Sequence, residues 1–246
     1  MADGSSVIQT IETMPYAHVM RSYWSVGVDI GQSNDPTAMA AVERLSWYAT
    51  INYKPGLRLM PGLTAFPIAA LDATKPRDAL HVRELKRLQL GITYIEIAQQ
   101  IAALLGDAQL SNAKVFIDAT GVGKPIVDLF KHAGIAHTPV WITSGRDEAT
   151  HGDGISVPKL ILISRLQAAL HSGELKIAKA LPESLAFMRE LQEFRATFTE
   201  IGNIRFGARQ GAHDDLVIAA ALAVYGATAK QYAMTINLPI LASSTR

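Results

Sequence analysis

From Leu216 to Ala223 the chain reads Leu-Val-Ile-Ala-Ala-Ala-Leu-Ala without one polar side chain, and the acidic pair Asp214-Asp215 opens the run directly behind Ala212-His213. Leucine and alanine favour the α-helix, so the run predicts a helix, and its apolar circumference predicts one buried on every side. The rest of the chain must therefore wrap around it. The two carboxylates at its head have two readings. Acids suit a helix N-terminus because they face the positive end of the dipole and accept free backbone N–H groups. The alternative is that the pair completes a metal site begun by acids elsewhere in the chain.

Two other apolar runs end in an acid. Trp24-Ser25-Val26-Gly27-Val28-Asp29-Ile30-Gly31 predicts a strand from Tyr23 with Asp29 at its carboxyl end and a glycine turn behind it. Lys114-Val115-Phe116-Ile117-Asp118 is continuously apolar, as in a central strand covered on both faces. If these are parallel neighbours, joined through the helix predicted over 93–106, Asp29 and Asp118 emerge at one sheet edge. Open α/β sheets place their ligands there.

With 246 residues, 49% of them hydrophobic, and a net charge of +1, the chain is long enough to bury one substantial core. It contains no cysteine. Any metal must then be held by oxygen or imidazole, which makes the hard cations Mg2+ and Mn2+ the expected ones. The apolar stretches fall short of the roughly 20 residues that span a bilayer, and no leader precedes them, so no membrane partner and an intracellular location are expected. Near-neutral charge neither supports nor excludes DNA as a partner, because a basic surface can be local.

In chain order, residues 1–22 read as a lead-in, 23–229 as the domain and 230–246 as a tail. Thr37–Glu43 and Ser46–Tyr53 predict two strands of an antiparallel meander. The stretch from Lys54 to Pro76 holds four prolines and two glycines and reads as a long connection. His81–Leu90 predicts a strand with Arg83, Lys86 and Arg87 on its exposed face. Thr93-Tyr94-Ile95-Glu96 is a capping box, and Ile97, Ile101, Leu104 and Leu105 continue its helix to Gly106. A short helix over Ile126–His132 and a strand over Thr138–Thr143 follow. Ser144–Val157 is polar and predicts a mobile loop or hairpin with no core to join. Pro158 suits the first position of a helix carrying Leu162, Leu166, Ala169 and Leu170. Leu181-Pro182 starts another, in which Phe187, Leu191, Phe194 and Phe198 recur at helical spacing as core. Asn203–Phe206 predicts a short strand.

Two motifs invite other chemistry. Gly121-Val122-Gly123-Lys124 suggests a phosphate loop, but neither Asp118 nor Ala119 supplies the upstream glycine, and Pro125 stands where a serine or threonine must follow the lysine. Asp29-Ile30-Gly31 resembles the first phosphate loop of actin-like and sugar-kinase folds, which need a second such lobe. That phosphotransferase class is kept as the rival enzyme.

Five segments in order resemble the nuclease domain of phage large terminases, a ribonuclease H-like family. They are Val26-Gly27-Val28-Asp29-Ile30-Gly31 with Asn34-Asp35-Pro36-Thr37-Ala38, His81-Val82-Arg83-Glu84-Leu85 with Leu90-Gly91, Phe116-Ile117-Asp118-Ala119-Thr120-Gly121-Val122-Gly123, Val157-Pro158-Lys159, and Ala212-His213-Asp214-Asp215. The resemblance implies an α/β fold, a mixed ribonuclease H-like sheet flanked by helices. It implies two divalent ions, Mg2+ or Mn2+, held by Asp29, Asp118 and the Asp214-Asp215 pair, either member of which is eligible. It also implies endonucleolytic cleavage of double-stranded DNA during phage packaging, in the host cytoplasm. Large terminases carry an ATPase domain and no Walker A motif is present here, so a separate packaging ATPase or other terminase and portal components are the expected partners.

His213 fits either orientation of water or phosphate, or a structural role before the helix. Acids that bind metal repel phosphate, so nearby cations are needed to recruit DNA. Lys124, Arg146 and Lys159 around the 144–157 segment are the expected backbone contacts. The alternatives are a Holliday-junction-resolvase-like nuclease, the phosphotransferase above, or an inactive adaptor domain that keeps these acids as caps and turn residues.

Overall fold

The computed structural model of the chain describes residues 18–31, 35–48, 77–198, 204–207 and 213–229. The connection expected over 54–76, most of the lead-in and the tail from residue 230 lie outside them. No helix among the described residues is long and apolar enough to cross a membrane.

Strand β1 (His18–Asp29) lies at the centre, paired antiparallel to β2 (Ala38–Tyr48) on one side and parallel to β4 (Lys114–Asp118) on the other. Beyond β2 come β3 (Arg77–Arg87), antiparallel, and β8 (Leu175–Ile177), parallel to β3. Beyond β4 come β5 (His137–Thr143) and β7 (Ile155–Pro158), both parallel, with β6 (Ala149–Thr150) antiparallel at the edge. The eight-stranded mixed sheet thus runs β6-β7-β5-β4-β1-β2-β3-β8.

Helices α1 (Tyr94–Leu105) and α2 (Gly123–His132) cover one face, packing Ile97, Ile101 and Phe130 on Val26, Val28, Val115 and Ile117. Helices α3 (Lys159–His171), α4 (Ser184–Glu193) and α5 (Asp215–Thr228) cover the other. The capping box is formed: Glu96 N donates to Thr93 Oγ1 and Thr93 N to Glu96 Oε2, while Gly106 closes α1. The apolar run becomes α5, lying between the sheet and α3, with every residue from Asp215 to Ala227 buried. Its seat is cut by Gly27: a Cβ there would stand 2.0 Å from Ala219 O and 2.5 Å from Ala223 N. Only a residue without a side chain lets the helix backbone lie directly on the central strand.

Several expectations are corrected. The two strands expected over 37–53 are one strand through Tyr48, the remainder lying outside the described residues. Arg44 interrupts the apolar pattern, yet β2 is held between two antiparallel partners, and Arg44 pairs with Asp78 at 2.8 Å and donates to Ala227 O at 3.0 Å. Strand β1 begins at His18 rather than Tyr23 because β2 carries the ladder out to Tyr48. The helix expected through Phe198 ends at Glu193: Phe194 is extended, and Arg195–Phe198 (β9) pairs with Ile204–Gly207 (β10) in a separate two-stranded sheet. Phe198, although at helical spacing from Phe194, suits a strand equally well, since aromatic residues favour strands.

The 144–157 segment is a hairpin, and it does join the core. Val157 is fully buried, and Glu148 accepts from Arg165 at 3.1 Å and from Tyr225 Oη at 2.9 Å. Burial and the Glu148 carboxylate push the Tyr225 phenol up to about 12, so its proton, and this tie, persist into alkaline solution. Pro158 caps α3 instead of opening it, and β8 was not anticipated, its three residues being too short to show a pattern.

Candidate metal centre

Side chains alternate along a strand, so Asp29, two residues past Gly27, faces α5. On β4, Phe116 belongs to the α5-side core and Asp118 follows it with the same period. The parallel register pairs Val28 with Ile117. Asp29 and Asp118 come one residue later on strands about 4.8 Å apart. The N-terminus of α5 ends over the same sheet edge and adds the acidic pair.

These elements enclose a cleft of about 530 Å3, lined by the carboxylates of Asp29, Asp35, Asp118, Asp214 and Asp215 together with Lys159 and His213. A larger cavity of about 620 Å3 opens at the opposite end of β4 and β5, but its described lining includes a single carboxylate, Glu148. The smaller cleft is therefore the chemical candidate. Lys124 and Arg146 do not line it. Both are exposed, on segments that follow β4 and β5 from the same sheet edge.

The cap reading of the acidic pair fails on geometry. Asp214 occupies the N-cap position and makes no side-chain capping bond. The free N–H groups of Leu216 and Val217 donate instead to Glu190 Oε2 from α4, at 3.0 and 3.3 Å. Asp214 and Asp215 are left to face the cleft.

Electrostatics mark the cluster as strained. Burial, then the charges of Asp118, Asp215 and Asp214, raise the Asp29 carboxyl well above its ordinary range, while Lys159 opposes them. Burial also raises Asp118, against hydrogen bonding from Thr120 and the charge of Lys159. Asp215 is raised by burial as well, against His213 and Arg87. Protein groups stand close to several of these oxygens. Asp118 Oδ1 accepts from Thr120 N at 2.8 Å, Lys159 Nζ lies 3.3 Å from Asp214 Oδ2, and Asp215 Oδ2 stands 3.6 Å from His213 Nδ1. Among the described residues no three acidic or histidine side chains are yet drawn tightly enough to close on one ion. The donor set, carboxylate oxygens with one imidazole beside them, suits a hard divalent cation.

No family model and no curated protein matches the chain. Solved structures do. The large terminase nuclease from thermophilic phage G20c superimposes with a TM-score of 0.57 at 23% identity, over 83% of this chain and 82% of that one. The same nuclease with bound magnesium gives 0.56 at 22% identity, over 85% and 83% of the two chains. The large terminase nuclease domain of Thermus phage P74-26 gives 0.52 at 21%, over 85% and 84%. The fold is that of a large-terminase nuclease domain.

Two residues of this terminase-nuclease fold escaped the sequence reading. Asp35 lies so close to the end of β1 that a Cβ on Gly31 would meet Asp35 O at 1.9 Å, and Asp35 lines the cleft. The available signal was an acid only six residues beyond Asp29 in sequence. Glu190 carried none, because its partner is a helix N-terminus in another part of the chain.

Proposed function

We propose that this chain is a metal-dependent endodeoxyribonuclease of the terminase type, cutting double-stranded DNA during phage genome packaging. The observation that carries the reading is the gathering of strand-end and helix-start acids, Asp29, Asp118, Asp214 and Asp215, around one cleft while another residue caps the helix. Like charges packed this closely raise each other's proton affinity, and a divalent cation relieves them. Asp29, Asp118 and one or both of Asp214 and Asp215 would hold Mg2+ or Mn2+. When bound, two such ions supply the charge that activates water and stabilises the leaving oxygen in phosphodiester hydrolysis. The G20c nuclease with bound magnesium supports this choice of ion.

The chain's own groups have separate tasks. Thr120 fixes the Asp118 carboxylate through its backbone N–H. Lys159 balances acidic charge at Asp214. His213, half-exposed at the cleft, orients water or the scissile phosphate. Lys124 and Arg146 hold the DNA backbone without reading its sequence. A separate packaging ATPase is the partner that would feed DNA to the site. The test is nicking of supercoiled plasmid with Mg2+ or Mn2+ by the wild type and by D118N. Loss of nicking in D118N at unchanged folding is expected, and equal activity would overturn the reading in favour of an adaptor.

A further inference from the structure

We infer that Glu190 is a positioning residue that keeps the Asp214-Asp215 pair available to metal, by capping α5 and by holding the Arg87 guanidinium away from Asp215. This rests on the function proposed above and goes beyond it, because neither residue lines the cleft. Glu190 lies in α4 and is buried, with 6% of its surface exposed. One oxygen, Oε2, accepts both free N–H groups at the start of α5, and the other, Oε1, is bonded by Arg87. A buried carboxylate is costly unless its charge is matched. Here a helix N-terminus and a guanidinium match it.

The arrangement reaches the acidic pair in two ways. Without an acceptor from Glu190, the open N–H groups of α5 would draw in the nearest carboxylates, those at its own N-terminus. Without the Glu190 charge, Arg87 would turn to its other anion. Its Nε already lies 3.8 Å from Asp215 Oδ2, too long for a hydrogen bond, and both atoms are buried with no hydrogen-bond partner among the described residues. Glu190 holds the guanidinium back from Asp215, so that a metal does not have to displace it.

The test is a double-mutant cycle read by calorimetric titration of the metal-free chain with Mn2+ alone. In E190Q the amide oxygen still accepts from α5, but the charge that retains Arg87 is gone. Mn2+ affinity is expected to fall by at least about tenfold, the effect usual for groups that orient metal ligands. In E190Q/R87M the competing guanidinium is removed too, and affinity is expected to return close to wild type. A merely structural role for Glu190 gives no such rescue. Wild-type affinity in E190Q, or a double variant as weak as E190Q, would overturn the inference. If E190Q folds poorly by circular dichroism, R87K decides. It keeps a cation beside Glu190 but withdraws the arm near Asp215, so Mn2+ should bind more tightly, and unchanged affinity overturns the inference. Failure of the underlying reading looks different: the wild type itself would show no Mn2+ binding that D29N removes.

Discussion

Asp29 and Asp118 leave the sheet side by side, because each follows one of the register partners Val28 and Ile117 on parallel neighbouring strands. Both point toward the start of α5, where a third source of carboxylate stands. Their proximity is thus a property of the sheet's hydrogen-bond register and not of a flexible loop. Shifting either strand by one residue would turn its acid to the opposite face.

The first consequence is a stability that depends on pH in an unusual direction. The Asp29 carboxyl is raised in the folded metal-free protein by burial and by Asp118, Asp215 and Asp214. A raised folded pKa means that the stabilising contribution is fully present below the unfolded value of about 3.9 and is lost as pH climbs through the folded value. D29N cannot titrate. In chelator, the melting temperature of D29N should therefore exceed that of the wild type by several degrees at pH 8, and the gap should close toward pH 4. A gap independent of pH would show that Asp29 is not strained by its neighbours.

Cation loading should reverse that strain. Mn2+ at a hundred times its dissociation constant stabilises a protein that binds it only when folded by about 2.7 kcal/mol. For a domain of this size the melting temperature should rise by roughly 5–10 °C. D118N should lose most of the rise while its chelated form melts no lower than the wild type, since the amide keeps the shape and removes a raised, buried carboxyl. Differential scanning calorimetry with and without Mn2+ is the measurement, and an equal rise in both proteins would exclude Asp118 as a ligand.

The close approach of α5 to β1 gives a third prediction, independent of metal. G27A places a methyl group within 2.0 Å of Ala219 O, a backbone atom with nowhere to retreat. Overpacking of this kind costs typically about 1–3 kcal/mol and displaces the helix whose N-terminus carries two of the acids. Urea denaturation should show the loss at every pH. Mn2+ affinity should fall with it, because Asp214 and Asp215 move with the helix while Asp29 and Asp118 do not.

Much of this arrangement was legible in the residues. The burial of α5 followed from Leu216–Ala223, the capping box of α1 from four residues, and the strand-end positions of Asp29 and Asp118 from where their apolar runs stop. What stayed hidden was non-local. Glu190 caps a helix 25 residues downstream in sequence, Arg44 continues a strand because Asp78 pairs with its charge and Ala227 O accepts its hydrogen bond, and Val157 is buried on a strand that pairs with β5. No local pattern encodes such partners. Phe198 misled for the complementary reason, since its spacing satisfied a helix that the β9–β10 pairing replaces.

The last prediction divides the three cations expected to meet DNA. Lys159 is half-buried, its Nζ 3.3 Å from Asp214 Oδ2 and 5.7 Å from the centre of the Phe194 ring, so in the metal-free protein its charge is committed to the cleft. Lys124 and Arg146 are exposed beyond the carboxyl ends of β4 and β5, free of the cleft's carboxylates, and are the residues proposed to contact the DNA backbone. Each phosphate contact contributes roughly 0.9 to the slope of log affinity against log salt, through release of condensed counterions. In chelator, K124A/R146A should flatten that slope by roughly 0.9 per lost contact, whereas K159A should leave it near the wild-type value because Lys159 has no charge to spare. Fluorescence anisotropy with a duplex at several salt concentrations makes the measurement. A slope flattened equally by K159A would mean that Lys159 leaves Asp214 for phosphate even without metal, and an unchanged slope in K124A/R146A would place the DNA track on another face.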